Sequence, residues 1–182
     1  MMFTAEQRRF LLTLARDAVT CAVKHLPLPP PAALDALFTQ PLGAFVTLTK
    51  DGNLRGCIGY PEAVYPLHET IARGAAAAAL QDPRFPPVSP AELSELHIEI
   101  SVLSPLQRAT PEEVEVGTHG LVIEKGYNRG LLLPQVPVEW GWNREEFLAH
   151  TCRKAGLPAD AWHAGVTLHT FTAEVFSEEN EQ

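Results

Sequence analysis

Apolar residues Phe10, Leu11, Leu14, Ala18, Val19, Ala22 and Val23 recur at the three-to-four-residue spacing of a helix with one buried stripe. Thr4 and Gln7 stand in front of them as a capping-box pair, so the pattern predicts a first helix over Thr4 to Lys24. Four prolines between Leu26 and Pro31 cannot continue it. Pro31 suits the first turn of a short second helix reaching Phe38. The period then drops to two. Gly43 to Thr49 is rich in β-branched and aromatic residues, Asp51-Gly52 marks a turn, and LRGCIG, Leu54 to Gly59, follows as the second strand of a hairpin.

Helical spacing returns after Pro66 and runs through the alanines at 75 to 79 to about Gln81, with side chains small enough for close packing on a sheet. The segment DPRFPPV, Asp82 to Val88, holds three prolines around Arg84 and Phe85 and reads as a stiff loop. Ser89-Pro90 with Glu92, and Thr110-Pro111 with Glu113, each open a short helix, and His97 to Leu103 alternates as a strand between them. Leu121 to Lys125 and Gly130 to Leu133 are two further strands joined by a turn at Gly126 to Arg129. Asn143 with Glu146 caps a helix over Arg144 to Ala155 that stops at Gly156, and Val166 to Phe176 alternates as one long closing strand. Helices mixed with hairpins favour an α+β fold, an antiparallel sheet with flanking helices.

The 182 residues fit one domain, divisible into two lobes, with a helical segment over residues 1–40 inside it. A net charge of −8 argues against non-specific binding to nucleic acid or acidic lipid, which requires clustered Lys and Arg. No apolar run approaches the roughly 20 residues of a membrane span, and the N-terminus lacks the pattern of a signal peptide. Cys21, Cys57 and Cys152 are odd in number and far apart, which suggests reduced thiols in a cytoplasmic protein and neither a disulfide framework nor a zinc site.

Chemistry concentrates in LRGCIG. Strict alternation along a strand would set Arg55, Cys57 and Gly59 on one side, with the guanidinium roughly 6 to 7 Å from the thiol. A cation there would favour the thiolate. Gly56 and Gly59 weaken the strand as pure structure and mark a bulge or a close backbone approach, which would let a ligand reach the main chain.

With LRGCIG, DPRFPPV and the LLLPQV of Leu131 to Val136, the sequence resembles the AMMECR1 family, the A component of the bacterial and archaeal AmmeMemoRadiSam system. Further matching text runs from GAFVTL at Gly43 through ISVL at Ile100 and HGL at His119 to KAGL at Lys154. The resemblance implies an α+β fold with a larger lobe on an antiparallel sheet, a smaller lobe beside it, and the hexapeptide near a cleft between them. The family's name implies association with a Memo-like protein and a radical SAM protein. It brings no settled reaction and no cofactor.

Two readings of the site follow. In the enzymatic one, Cys57 is a nucleophile or redox thiol, Arg55 activates it or clamps an anion, and His119 in a Gly117-Thr118-His119-Gly120 loop moves protons. Arg84 on its rigid loop holds an anionic substrate, and Gln135 in an apolar segment lines a pocket. In the other, Cys57 is a packing residue, Asp82 pairs with Arg84, Phe85 plugs the core, His119 caps a turn, and the protein is an adaptor that docks its partners through the same cleft and the Trp140 region. Trp140 and Trp142 themselves read as core anchors. No metal site is expected, since His150 and Cys152 diverge by about 200° on a helix and no HExxH or paired CxxC occurs. The remaining histidines, His25, His68, His97, His163 and His169, read as surface or structural, and no P-loop or GxGxxG points to a nucleotide cofactor.

Overall fold

The computed structural model describes residues 3–31 and 35–180 and has an α+β architecture with two separate four-stranded sheets. The chain divides into two compact units, Met1–Leu103 with Glu174–Gln182, and Ser104–Ala173.

In the first unit, helix α1 (Ala5–Val23) is closed at its N-terminus by the expected capping box: Thr4 Oγ1 accepts from Gln7 N–H, and the Gln7 side chain accepts from Thr4 N–H. The predicted short helix at Pro31 to Phe38 falls partly on residues 32–34, outside the described residues. Its described part is a 3-10 turn, Ala36–Thr39, capped by Asp35. Strands β1 (Ala44–Lys50) and β2 (Asn53–Tyr60) form the hairpin, and Asp51 and Gly52 both take positive φ at its tip, as a tight hairpin turn requires. Helix α2 (Leu67–Leu80) begins directly after Pro66.

Strand β3 (Leu96–Leu103) and strand β8 (Ala173–Ser177) complete the sheet in the order β2-β1-β3-β8. One face carries Val46, Leu48, Ile58, Ile98, Ile100 and Val102, which join Leu11, Ala15 and Val19 of α1 and Ile71, Ala75 and Ala78 of α2 in a single core. Burying a side chain of this size is worth about 1.5–3 kcal/mol, so this face dominates the unit's stability.

The second unit holds strands β4 (Gln107–Arg108), β5 (Gly120–Lys125), β6 (Asn128–Leu132) and β7 (Thr167–Phe171) in the order β4-β7-β5-β6. Helix α4 (Arg144–Lys154), capped by Asn143 and Glu146 as predicted, buries Phe147, Leu148 and Cys152 against Leu121, Ile123 and Leu168. A Cβ on Gly130 would strike the backbone of Lys154 and Ala155, so that glycine is what lets the helix end lie on β6.

Two elements differ from the sequence pattern. The single strand expected over Val166 to Phe176 is two strands, β7 and β8, in different sheets, with exposed Thr172 between them. Gln135–Trp140, over which the sequence pattern assigns no element, is a short helix, α3, closed by Gly141 at φ 66°. Among the described residues no helix is long and apolar enough to cross a membrane.

Candidate functional site

Strand β2 pairs with β1 in a register that shifts between Leu48 and Thr49. Thr49 lies opposite Leu54 but Leu48 lies opposite Gly56, which leaves Arg55 as the extra residue of a β-bulge. The bulge sets the site. Counted straight from the turn, Thr47 would face Gly56 and Cys57 would fall on the helix-covered face. The one-residue slip instead sets Cys57 opposite Thr47, on the face away from α1 and α2. The alternation that would have paired Arg55 with Cys57 is broken by the bulge itself.

Cys57 is half-buried. Thr47 Oγ1 donates to its Sγ at 3.3 Å. Its backbone is held from the DPRF loop: Cys57 N–H donates to Asp82 Oδ2 at 2.9 Å, and Arg84 Nη2 donates to the Cys57 carbonyl at 3.3 Å. Asp82 also accepts from Arg84 N–H at 3.1 Å and from Arg84 Nε and Nη2 at 2.9 and 2.7 Å. The Arg84 guanidinium, followed by the two backbone donors, holds the Asp82 carboxyl well below the usual carboxylate range against the cost of its burial. The same pairing pushes Arg84 up. The Asp82 side chain is 2% exposed and that of Arg84 55%, so the charge presented to solvent is the cation. Phe85 is half-buried, and Arg84 lies over its ring.

Arg55 makes a different set of contacts. Its Nε and Nη2 donate to Glu92 at 2.9 and 3.3 Å and its Nη1 to the Pro86 carbonyl at 2.9 Å, with 13% of the side chain exposed. Arg55 and the Ser89 backbone N–H lower Glu92 to about 2. The guanidinium thus braces the proline loop from the bulge. Gly56 and Gly59 have packing reasons of their own: a Cβ on Gly56 would meet the Ala78 carbonyl of α2, and one on Gly59 would meet Ala44 O and the Phe45 ring.

Across β1 from Cys57, Thr47 stands opposite Glu99 of β3, so Cys57, Thr47 and Glu99 form one row across the open face. A cavity of about 240 Å³ on that face is lined by Thr47, Thr49, His97, Glu99, Ser177 and Glu179, among others. Sequence reasoning named neither Thr47 nor Glu99. The signal for Thr47 was the hairpin register, readable only once the bulge is placed.

The structure therefore gathers Arg55, Gly56, Cys57, Gly59 and Arg84 on β2 and its neighbouring loop. His119 and Gln135 belong to the second unit. His119 precedes β5, and its Nδ1 accepts from Glu115 N–H at 3.1 Å, which leaves Nε2 as a proton donor. Gln135 is exposed on the first turn of α3. Trp140 is 70% exposed, against its reading as a core anchor; the short α3 ends in an αL glycine and leaves its last side chain outside. Trp140 stacks at 6.1 Å on Trp142, which packs on the second core and stacks at 3.8 Å on His150. Cys152 is fully buried, and burial pushes its thiol up. Among the described residues no three His, Cys, Asp or Glu side chains are grouped to hold a metal ion.

Comparison with known proteins finds that residues 12–176 match the family model described as AMMECR1. A relative named Protein TK0174 from Thermococcus kodakarensis is 49% identical, the match covering 96% of this chain and 91% of the relative. A protein of Methanothermobacter thermautotrophicus is 47% identical, with 96% and 95% covered. The crystal structure of the uncharacterized protein PH0010 from Pyrococcus horikoshii superposes with a TM-score of 0.84 at 45% identity, covering 94% of this chain and 91% of that one.

Proposed function

The chain belongs to the AMMECR1 family, and on that premise we propose that it is a thiol enzyme in which Cys57 attacks a small anionic substrate held by Arg84. The observation that carries this reading is the half-buried Cys57 sulfur receiving a hydrogen bond from the Thr47 hydroxyl. A donor aimed at sulfur stabilises the thiolate more than the thiol. Arg84 supports the choice of an anionic substrate, because Asp82 fixes two of its nitrogens while Nη1 makes no hydrogen bond among the described residues and the side chain is more than half exposed. A guanidinium already ordered by its partner loses little entropy on binding a carboxylate or phosphate. The free cysteines fit a reducing cytoplasm. The family resemblance supports action beside a Memo-like protein and a radical SAM protein.

Peptide-resolved alkylation of the intact protein tests the enzymatic reading. At pH 7 Cys57 is expected to react about tenfold faster than Cys21, the other partly exposed thiol. A Cys57 that reacts no faster overturns it.

A second reading, a non-catalytic adaptor, is favoured by one observation: the exposed Trp140 indole stacked on Trp142. Exposed tryptophans of this kind are common anchors of protein interfaces. Copurification with the two suspected partners separates the readings. Loss of capture on Trp140→Ala with full capture on Cys57→Ser supports docking at the tryptophan.

A further inference from the structure

We infer that Glu99 is the proton partner of Cys57, coupled to it through the hydroxyl of Thr47. The inference rests on the reading of Cys57 as a reactive thiol and specifies how that thiol is charged.

The three side chains occupy directly opposed positions on adjacent strands, Cys57 against Thr47 and Thr47 against Glu99. Opposed Cβ atoms in a sheet lie about 4.5–5.5 Å apart, within reach of a hydroxyl between a sulfur and a carboxylate. One link is formed, from Thr47 Oγ1 to Cys57 Sγ. A hydroxyl has one donor and two acceptor positions, so the Thr47 oxygen remains able to accept from a protonated Glu99. Glu99 and Thr47 both line the 240 Å³ cavity, and the Glu99 carboxylate has no hydrogen bond or ion pair among the described residues.

Burial first, and the charge of Glu179 second, push the Glu99 carboxyl above its usual range. A carboxylate so placed is a better base than an exposed one. The transfer balances within the row. The Cys57 thiol gives its proton to the Thr47 oxygen, Thr47 passes its own to Glu99, and the result is a thiolate, an intact hydroxyl and a neutral carboxylic acid. Thr47 then donates to the sulfur, which is the bond in the structure.

The other charged groups near Cys57 are otherwise engaged. Asp82 accepts from its backbone N–H, Arg84 donates to its carbonyl, and Arg55 is held by Glu92. His97 and Glu179 line the same cavity as Glu99, and His97 Nδ1 lies 3.6 Å from Glu179. That leaves Glu99 as the carboxylate in register with the thiol.

The test is the pH dependence of Cys57 alkylation, read by peptide mass spectrometry on the intact protein. Two interacting groups sharing one proton titrate in two stages. Wild type is expected to show two rises in rate, and Glu99→Gln one. Thr47→Val, which deletes the hydroxyl, is expected to slow alkylation at pH 7 about tenfold, and Thr47→Ser to restore the wild-type profile, which separates the hydroxyl from packing. A fast-reacting Cys57 whose profile is unchanged in Glu99→Gln overturns the coupling and leaves the thiol reading standing. A Cys57 no faster than Cys21 in wild type overturns both.

Discussion

Two arginine–carboxylate pairs flank Cys57, and they divide the work between them. In the Asp82–Arg84 pair the acid is sealed and the base is exposed. In the Arg55–Glu92 pair both members are largely covered, at 13% and 20% side-chain exposure. The first pair binds the backbone of Cys57 through the carboxylate and its carbonyl through the guanidinium. The second pair touches neither, and instead ties the bulge to the end of the proline loop. A charged pair next to a candidate nucleophile is thus no evidence of a role in chemistry by itself. Which member faces solvent decides whether it can meet a substrate.

The contrast breaks most sharply at Asp82. Asp82→Ala leaves the backbone N–H groups of Cys57 and Arg84 without their acceptor, and is expected to cost about 3 kcal/mol by denaturant titration. Acidification probes the other pair. Glu92 is depressed in the folded state, so its stabilisation is present above the usual glutamate value of 4.5 and is lost as pH falls through about 2. An acid titration of wild type should therefore lose stability across that window, and Glu92→Gln should lose less there. Arg55→Ala is expected to cost about 1–2 kcal/mol while leaving the Cys57 alkylation rate unchanged. A slowed thiol in that variant would mean the brace also tunes sulfur. Arg84→Ala leaves the sealed Asp82 carboxylate on its two backbone donors alone and is expected to cost about 1–2 kcal/mol by denaturant titration. It should also slow Cys57 labelling by iodoacetate several-fold more than labelling by neutral iodoacetamide, and equal slowing of the two reagents would remove Arg84 as the anion holder.

Much of the fold was legible because the caps and turns are local. Thr4 with Gln7, Ser89 with Glu92, Thr110 with Glu113 and Asn143 with Glu146 all form capping boxes, and the Asp51-Gly52 turn closes the hairpin. The closing strand was misread for an equally physical reason. Leu168 and Thr170 are buried on β7 and Phe176 on β8, and the break between them is confined to buried Phe171 beside exposed Thr172, too short a slip of the period of two to mark a change of sheet. Helix α3 went unassigned because Pro137 interrupts its short apolar run, although Gly141 offered a helix-stop signal. At the site, Cys57 and Arg84 could be named from sequence but Thr47 and Glu99 could not. Cys57 meets Thr47 because of the extra residue at Arg55, while Thr47 meets Glu99 through the separate β1–β3 pairing, and a bulge decides register without leaving a periodic trace.

The return of the chain into β8 has a consequence for synthesis. The first sheet lacks its fourth strand until residues 173–177 leave the ribosome, after the whole of residues 104–173 has been made. Phe176 of the main core, the Glu174 partner of Arg8 and the Glu178 partner of Arg16 all arrive in that last stretch. A message truncated before codon 174 would therefore yield a nascent chain whose oldest half stays unfinished, with the flank of β3 open to aggregation.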